Sequence, residues 1–96
     1  METKTHLFAL GQVMATSGVA QLMEDPSIQD ELALMLARHL GGDYGDMCEE
    51  DKQANTDALK DEGRIMSSYL TSSNVKIWII TEWDRSVTTF LFPDEY

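Results

Sequence analysis

The sequence predicts an α+β domain: N-terminal helices packed on a C-terminal antiparallel β-meander of three strands, four if the N-terminal segment joins it. Three observations predict it. Apolar residues recur at helical spacing over residues 28–40. After Gly63 the periodicity changes to runs of β-branched and aromatic residues. Short polar segments with turn chemistry divide those runs. The 96 residues make one domain, 1–96, with a single modest core. A hydrophobic content of 43% with 25% charged residues opposes wholesale disorder.

The first segment, His6 to Ala15, reads as extended around Phe8, Leu10 and Val13. Thr16 and Ser17 then cap a short helical turn through Val19, Ala20, Leu22 and Met23. Asp25 and Pro26 precede Ser27-Ile28-Gln29-Asp30, which has capping-box spacing, and Ile28, Leu32, Met35, Leu36 and Leu40 form one apolar stripe. Gly41-Gly42 ends this helix, with Arg38 and His39 at the negative end of its dipole. A second helix begins near Cys48, because Glu49, Glu50 and Asp51 favour a positive first turn. Met47, Ala54, Ala58 and Leu59 give it a thin apolar face, and Gly63 stops it. Strands follow at Ile65 to Thr71, Val75 to Glu82 and Val87 to Phe92, with turns at Ser72-Ser73-Asn74 and Trp83-Asp84-Arg85-Ser86. The middle strand is apolar on both sides, as a central strand is, and Pro93 ends the last one.

Charge narrows the function classes. Seventeen Asp and Glu against seven Lys and Arg give a formal net charge of −10. Direct nucleic-acid binding is disfavoured, because phosphates are gripped by Lys and Arg, and so is an anionic membrane surface. Cys48 is the single cysteine, so no intramolecular disulfide forms, which suits a reducing cytoplasm. Leu7 to Ala20 is mildly apolar after Lys4, but Gln12, Thr16, Ser17 and Gly18 dilute it and Glu2 spoils a basic leader. A soluble, cytoplasmic protein is expected.

The most concentrated chemistry is acidic. Asp43, Asp46, Glu49, Glu50, Asp51, Asp57, Asp61 and Glu62 face only Lys52 and Lys60 within twenty residues, a local charge of −6. Such a face either keeps a small protein soluble or engages a basic partner surface. Asp43-Tyr44-Gly45-Asp46 lacks the acid and glycine positions of an EF-hand, and the histidines His6 and His39 form no zinc motif with Cys48, so no metal or cofactor is expected. His39 reads as a partner of helix C-terminal carbonyls or, less simply, as a general base beside Asp43. At the second hairpin tip, Trp83 suits a contact anchor and Arg85 an anion clamp.

Several stretches together resemble a known family. They are Arg38-His39-Leu40-Gly41-Gly42-Asp43-Tyr44-Gly45-Asp46, then Glu50-Asp51 with Asn55 and Ala58-Leu59, then Arg64 with Ser67 and Tyr69. The ending from Ile77-Trp78-Ile79-Ile80-Thr81-Glu82 through Trp83-Asp84-Arg85-Ser86-Val87-Thr88-Thr89 to Pro93, Glu95 and Tyr96 belongs to the same pattern. It resembles small proteins of phages, plasmids and other mobile elements labelled "plasmid-related protein" or "type I restriction endonuclease subunit M". Tyr44 stands where that family carries tryptophan, and Trp83 where a small residue is usual. Ninety-six residues are too few for a methyltransferase domain. The resemblance implies a mobile-element setting, where small acidic proteins often blunt host defence.

The expectation is a non-enzymatic inhibitor of a host protein complex that binds nucleic acid, of anti-CRISPR or anti-restriction type. Asp43, Asp46, Glu49, Glu50 and Asp51 would mimic phosphates, with Trp83 and Arg85 as a local anchor. The alternatives are a ribonuclease- or toxin-like enzyme using His39, Tyr69, Arg64 and Arg85, and a structural or regulatory mobile-element protein that dimerises through an uncovered sheet edge.

Overall fold

The computed structural model describes residues 7–96; His6, and with it the start of the extended N-terminal stretch, lies outside them. Strand β1 (Gln12–Ala15) leads into helices α1 (Ser17–Leu22), α2 (Pro26–Leu40) and α3 (Glu49–Asp61). Strands β2 (Ile65–Leu70), β3 (Lys76–Thr81) and β4 (Val87–Leu91) follow, and a 3₁₀ turn spans Pro93–Glu95. The α+β class and the β2-β3-β4 antiparallel meander are as expected. The sheet as a whole is not. Its order is β1-β4-β3-β2, and β1 runs parallel to β4, Gln12 beside Val87 and Ala15 beside Phe90. The sheet is therefore mixed, and the fourth strand is shorter than the extended stretch predicted. The parallel direction follows from connectivity: three helices, α1, α2 and α3, separate β1 from the meander, so β1 joins the sheet across a crossover and not by a hairpin.

Period-two alternation gives the sheet two different faces. Ile65, Ser67 and Tyr69 of β2, Ile77, Ile79 and Thr81 of β3, and Thr88 and Phe90 of β4 turn toward the helices and are buried. Val19 of α1 and Ile28, Leu32 and Met35 of α2 pack on Tyr69, Ile77, Ile79 and Phe90. Trp78, Ile80 and Leu91 face the other way, where Tyr96 meets the Trp78 ring edge-on at 5.7 Å and Arg64 lies 5.0 Å over Tyr96. Burial on both faces explains the apolar centre of β3.

Local chemistry departs from expectation at two helix ends. Thr16 caps α1 as predicted, accepting from the Val19 N–H while its hydroxyl donates to Glu95 at 2.6 Å. For α2, Asp25 caps, accepting from the Ser27 N–H at 3.0 Å with Pro26 at the first position, so the capping box on Ser27 does not form. Helix α3 does start after Cys48, yet it ends at Glu62, held in the left-handed region at φ 58°, before Gly63 is reached. Ala54 is exposed, and its expected place on the buried face belongs to Asn55, three residues before Ala58.

Asn55 closes the outer edge of the sheet. Its carboxamide nitrogen donates to the Met66 carbonyl at 2.7 Å and its oxygen accepts from the Met66 N–H at 3.0 Å, as a neighbouring strand would. One step further, the Ser68 N–H donates to the Tyr44 carbonyl at 3.1 Å and the Asp46 N–H donates to the Ser68 carbonyl at 2.6 Å. The loop after α2 thereby forms a one-residue parallel bridge at Gly45, whose φ of +72° and contact with the Ser68 carbonyl leave no place for a Cβ. An edge that would otherwise template pairing is blocked on β2, and the open edge is that of the short β1. Asn55→Ala strips both bonds from Met66 at a site with no replacement partner. It is expected to lower stability by about 1–3 kcal/mol in urea unfolding, and an unchanged midpoint would show that the Asn55 bridge adds nothing.

Candidate functional site

A buried polar line crosses the core. His39, fully buried, stands on the stripe of α2 with Ile28, Leu32 and Met35. Its Nε2 lies 2.9 Å from Thr81 Oγ1, Thr81 Oγ1 lies 2.8 Å from Thr88 Oγ1, and Thr88 donates to the Leu10 carbonyl at 2.7 Å. The far end sets the direction. Because Thr88 spends its proton on a carbonyl, it accepts from Thr81, which in turn accepts from Nε2–H. Nδ1 is then left as the acceptor for the Ser67 hydroxyl. His39 is therefore neutral, with its proton on Nε2, and burial pushes its pKa down to about 4. Phe8 closes over the ring edge-on, centroids 5.2 Å apart. His39 thus binds hydroxyls, and neither helix carbonyls nor Asp43. Tyr69 is buried too, its hydroxyl donating to the Asp43 carbonyl and its pKa pushed up to about 12 by burial. Of the four residues of the enzyme alternative, His39 and Tyr69 are buried in the core, whereas Arg64 is exposed over Tyr96 and Arg85 is half-buried.

The acidic residues lie on the surface, on the loop after α2 and along α3. Asp43 accepts from Arg38 Nε at 2.8 Å and from the Gly45 N–H at 3.2 Å, and the Arg38 guanidinium holds its carboxyl below the usual carboxylate range. Asp46 faces Lys76 at 3.8 Å. Glu49, Glu50 and Asp51 fill the exposed first turn of α3, and Asp57, Asp61 and Glu62 are exposed further along. Among the described residues, ion pairs within 4.0 Å reach only Asp43 and Asp46 of these eight carboxylates. The fold therefore holds a file of mostly unpaired negative charge along one exposed helix.

Trp83 and Arg85 sit at the opposite end of α3, roughly 18 Å from Glu49 at 1.5 Å per residue. Arg85 occupies a turn position with φ 61° and points its guanidinium at backbone carbonyls: Gly63 at 2.6 Å, Ala58 and Glu82 at 3.1 Å, and Trp83 at 3.3 Å. It fastens the carbonyl end of α3 to the β3–β4 hairpin, which positive charge stabilises. Trp83 is 60% exposed. Beside it opens a surface cleft of about 400 Å³ lined by Leu7, Phe8, Leu59, Glu62, Asp84 and Arg85, with Trp83 on its wall. Sequence reasoning had no signal for Phe8 and Leu59 in this cleft, since their approach depends on how the N-terminal stretch meets α3.

Among the described residues, no group of three His, Cys, Asp or Glu side chains is placed to hold a metal ion, and no helix is long and apolar enough to cross a membrane.

The neutral imidazole carries a pH dependence whose sign is fixed. Its folded pKa lies below the ordinary value of 6.5, so its contribution is complete above pH 6.5 and is lost as pH falls toward 4. The interval corresponds to roughly 3 kcal/mol at about 1.4 kcal/mol per pH unit. Urea unfolding between pH 7 and 4 is expected to show this loss, and His39→Gln to show a flatter profile. Parallel profiles for the two proteins would remove His39 as the cause. No family model, no curated protein and no solved structure matches the chain.

Proposed function

We propose that this protein is a non-enzymatic interaction protein that occupies the nucleic-acid-binding surface of another protein, with α3 and the loop before it standing in for phosphates. One observation carries the reading: six carboxylates on or next to α3 lack a cationic neighbour within 4.0 Å among the described residues. A helix this acidic on its exposed sides presents negative charge at fixed spacing on a rigid rod, and a partner built to bind phosphates offers the complementary potential. The buried side of the same helix is held by Asn55, Ala58 and the carbonyls that Arg85 ties down, none of them acidic. The carboxylates are therefore available to a partner. The resemblance to mobile-element proteins supplies the setting, a host defence complex of CRISPR or restriction type in the cytoplasm.

The reading predicts affinity that falls steeply with salt, because screening at high ionic strength weakens exposed charge pairs. Capture from host lysate at low and high salt, with competition by DNA, is the measurement. The partner is expected to elute with either salt or DNA. The variant Glu49→Gln, Glu50→Gln, Asp51→Asn keeps side-chain size and is expected to bind on the order of tenfold more weakly. Equal binding by that variant at all salt concentrations would sink the phosphate-mimic reading.

A further inference from the structure

The cleft at the carbonyl end of α3 adds a specific contact to this acidic face. We infer that it receives an arginine or lysine side chain of the basic partner, an inference that rests on the phosphate-mimic reading above. Three features argue for a cation with an apolar stem. Leu7 and Leu59 provide an apolar wall for methylene groups. Trp83, 60% exposed, lines the cleft, and an indole ring attracts a cation. Glu62 and Asp84 line the same cleft, and among the described residues no cation lies within 4.0 Å of either.

Both carboxylates are placed by the backbone. Asp84 accepts from the Ser86 hydroxyl at 2.6 Å and from the Ser86 N–H at 3.1 Å, which fixes it across the hairpin turn. Glu62 terminates α3 in the left-handed region and lines the cleft together with Leu59. Arg85 also lines the cleft, but its guanidinium is committed to four carbonyls. Its charge therefore offsets the carbonyl end of the helix. The cleft continues the acidic face of α3, so a cationic segment lying along the helix reaches it without leaving negative potential.

The test uses hexa-arginine and hexa-citrulline, peptides of matched shape in which only the first is charged. In a Trp78→Phe background, Trp83 is the sole tryptophan. Its emission is expected to shift saturably with hexa-arginine and not with hexa-citrulline. By calorimetry, Trp83→Ala and Glu62→Gln are each expected to weaken binding roughly three- to tenfold. The variant neutralised at Glu49, Glu50 and Asp51 is expected to keep the emission shift at lower affinity. Hexa-citrulline binding as well as hexa-arginine would overturn the inference. So would unchanged affinity of Trp83→Ala and Glu62→Gln, and if the neutralised variant then loses binding, the acidic face stands without the cleft. Failure of hexa-arginine to bind any form overturns both readings. Binding that appears only after residues 1–6 are removed assigns the cleft to the chain's own N-terminal segment and overturns the cationic partner.

Discussion

The hydrogen-bonded line from Ser67 through His39, Thr81 and Thr88 to the Leu10 carbonyl is the constraint on which the arrangement of elements depends. It joins α2, β2, β3, β4 and the N-terminal stretch through five residues, in a core where a buried polar atom without a partner is costly. The line opposes a slip of β4 toward Val87. Moving β4 by one residue against β3 so that Val87 stands opposite Thr81 would leave Thr81 without its acceptor, whereas the opposite slip would offer the Thr89 hydroxyl. Apolar packing by Ile77, Ile79 and Phe90 holds the layers together, but any alternation of similar size would do so. The hydroxyl at 81 opposite the hydroxyl at 88 joins the two strands inside that packing.

A second constraint places α3. Asn55 fastens the middle of the helix to Met66, and Arg85 fastens its end to the β3–β4 turn. These polar ties compensate for a helix whose apolar face is little more than Ala58 and Leu59. Their positions decide which side of α3 meets solvent. A helix attached by two polar side chains and one alanine needs none of its eight neighbouring carboxylates for attachment, so the fold and the charge are separable properties of the same element.

Legibility followed the range of the interaction. The α2 stripe, the start of α3, the Thr16 cap and the three meander strands are local patterns, and each was readable from spacing. The parallel β1 was not, because its partner lies 75 residues away at Val87 and strand direction is decided by connectivity. His39 lies one turn after Met35 and so on the buried side, but its terminal position suggests dipole chemistry, and the predicted stripe runs through Leu36 and Leu40 instead. Arg85 offered a free cation in sequence, whereas its commitment to carbonyls depends on the approach of α3. Among the site residues, the acids were legible as a cluster. That Trp83 and Arg85 share a cleft with Glu62 required the hairpin to meet the helix end.

Where along α3 the charge lies also separates explanations. Glu49, Glu50 and Asp51 sit at the positive end of the helix dipole, where carboxylates are favourable by about 0.3–1 kcal/mol each at low ionic strength. Helix formation is therefore served by their presence, whatever else they do. Asp57, Asp61 and Glu62 stand toward the negative end, where a carboxylate opposes the dipole and Lys60 is the single cation of the last turn. Asp57 accepts from Gln53 at 3.1 Å, but the dipole gives no reason for Asp61 and Glu62, and Arg85 offsets the end they crowd. Solubility alone could be met by acids on any exposed surface. Charge that opposes the dipole, retained beside an exposed tryptophan and a cleft of mixed polar and apolar lining, is the feature on which the proposed recognition role draws most.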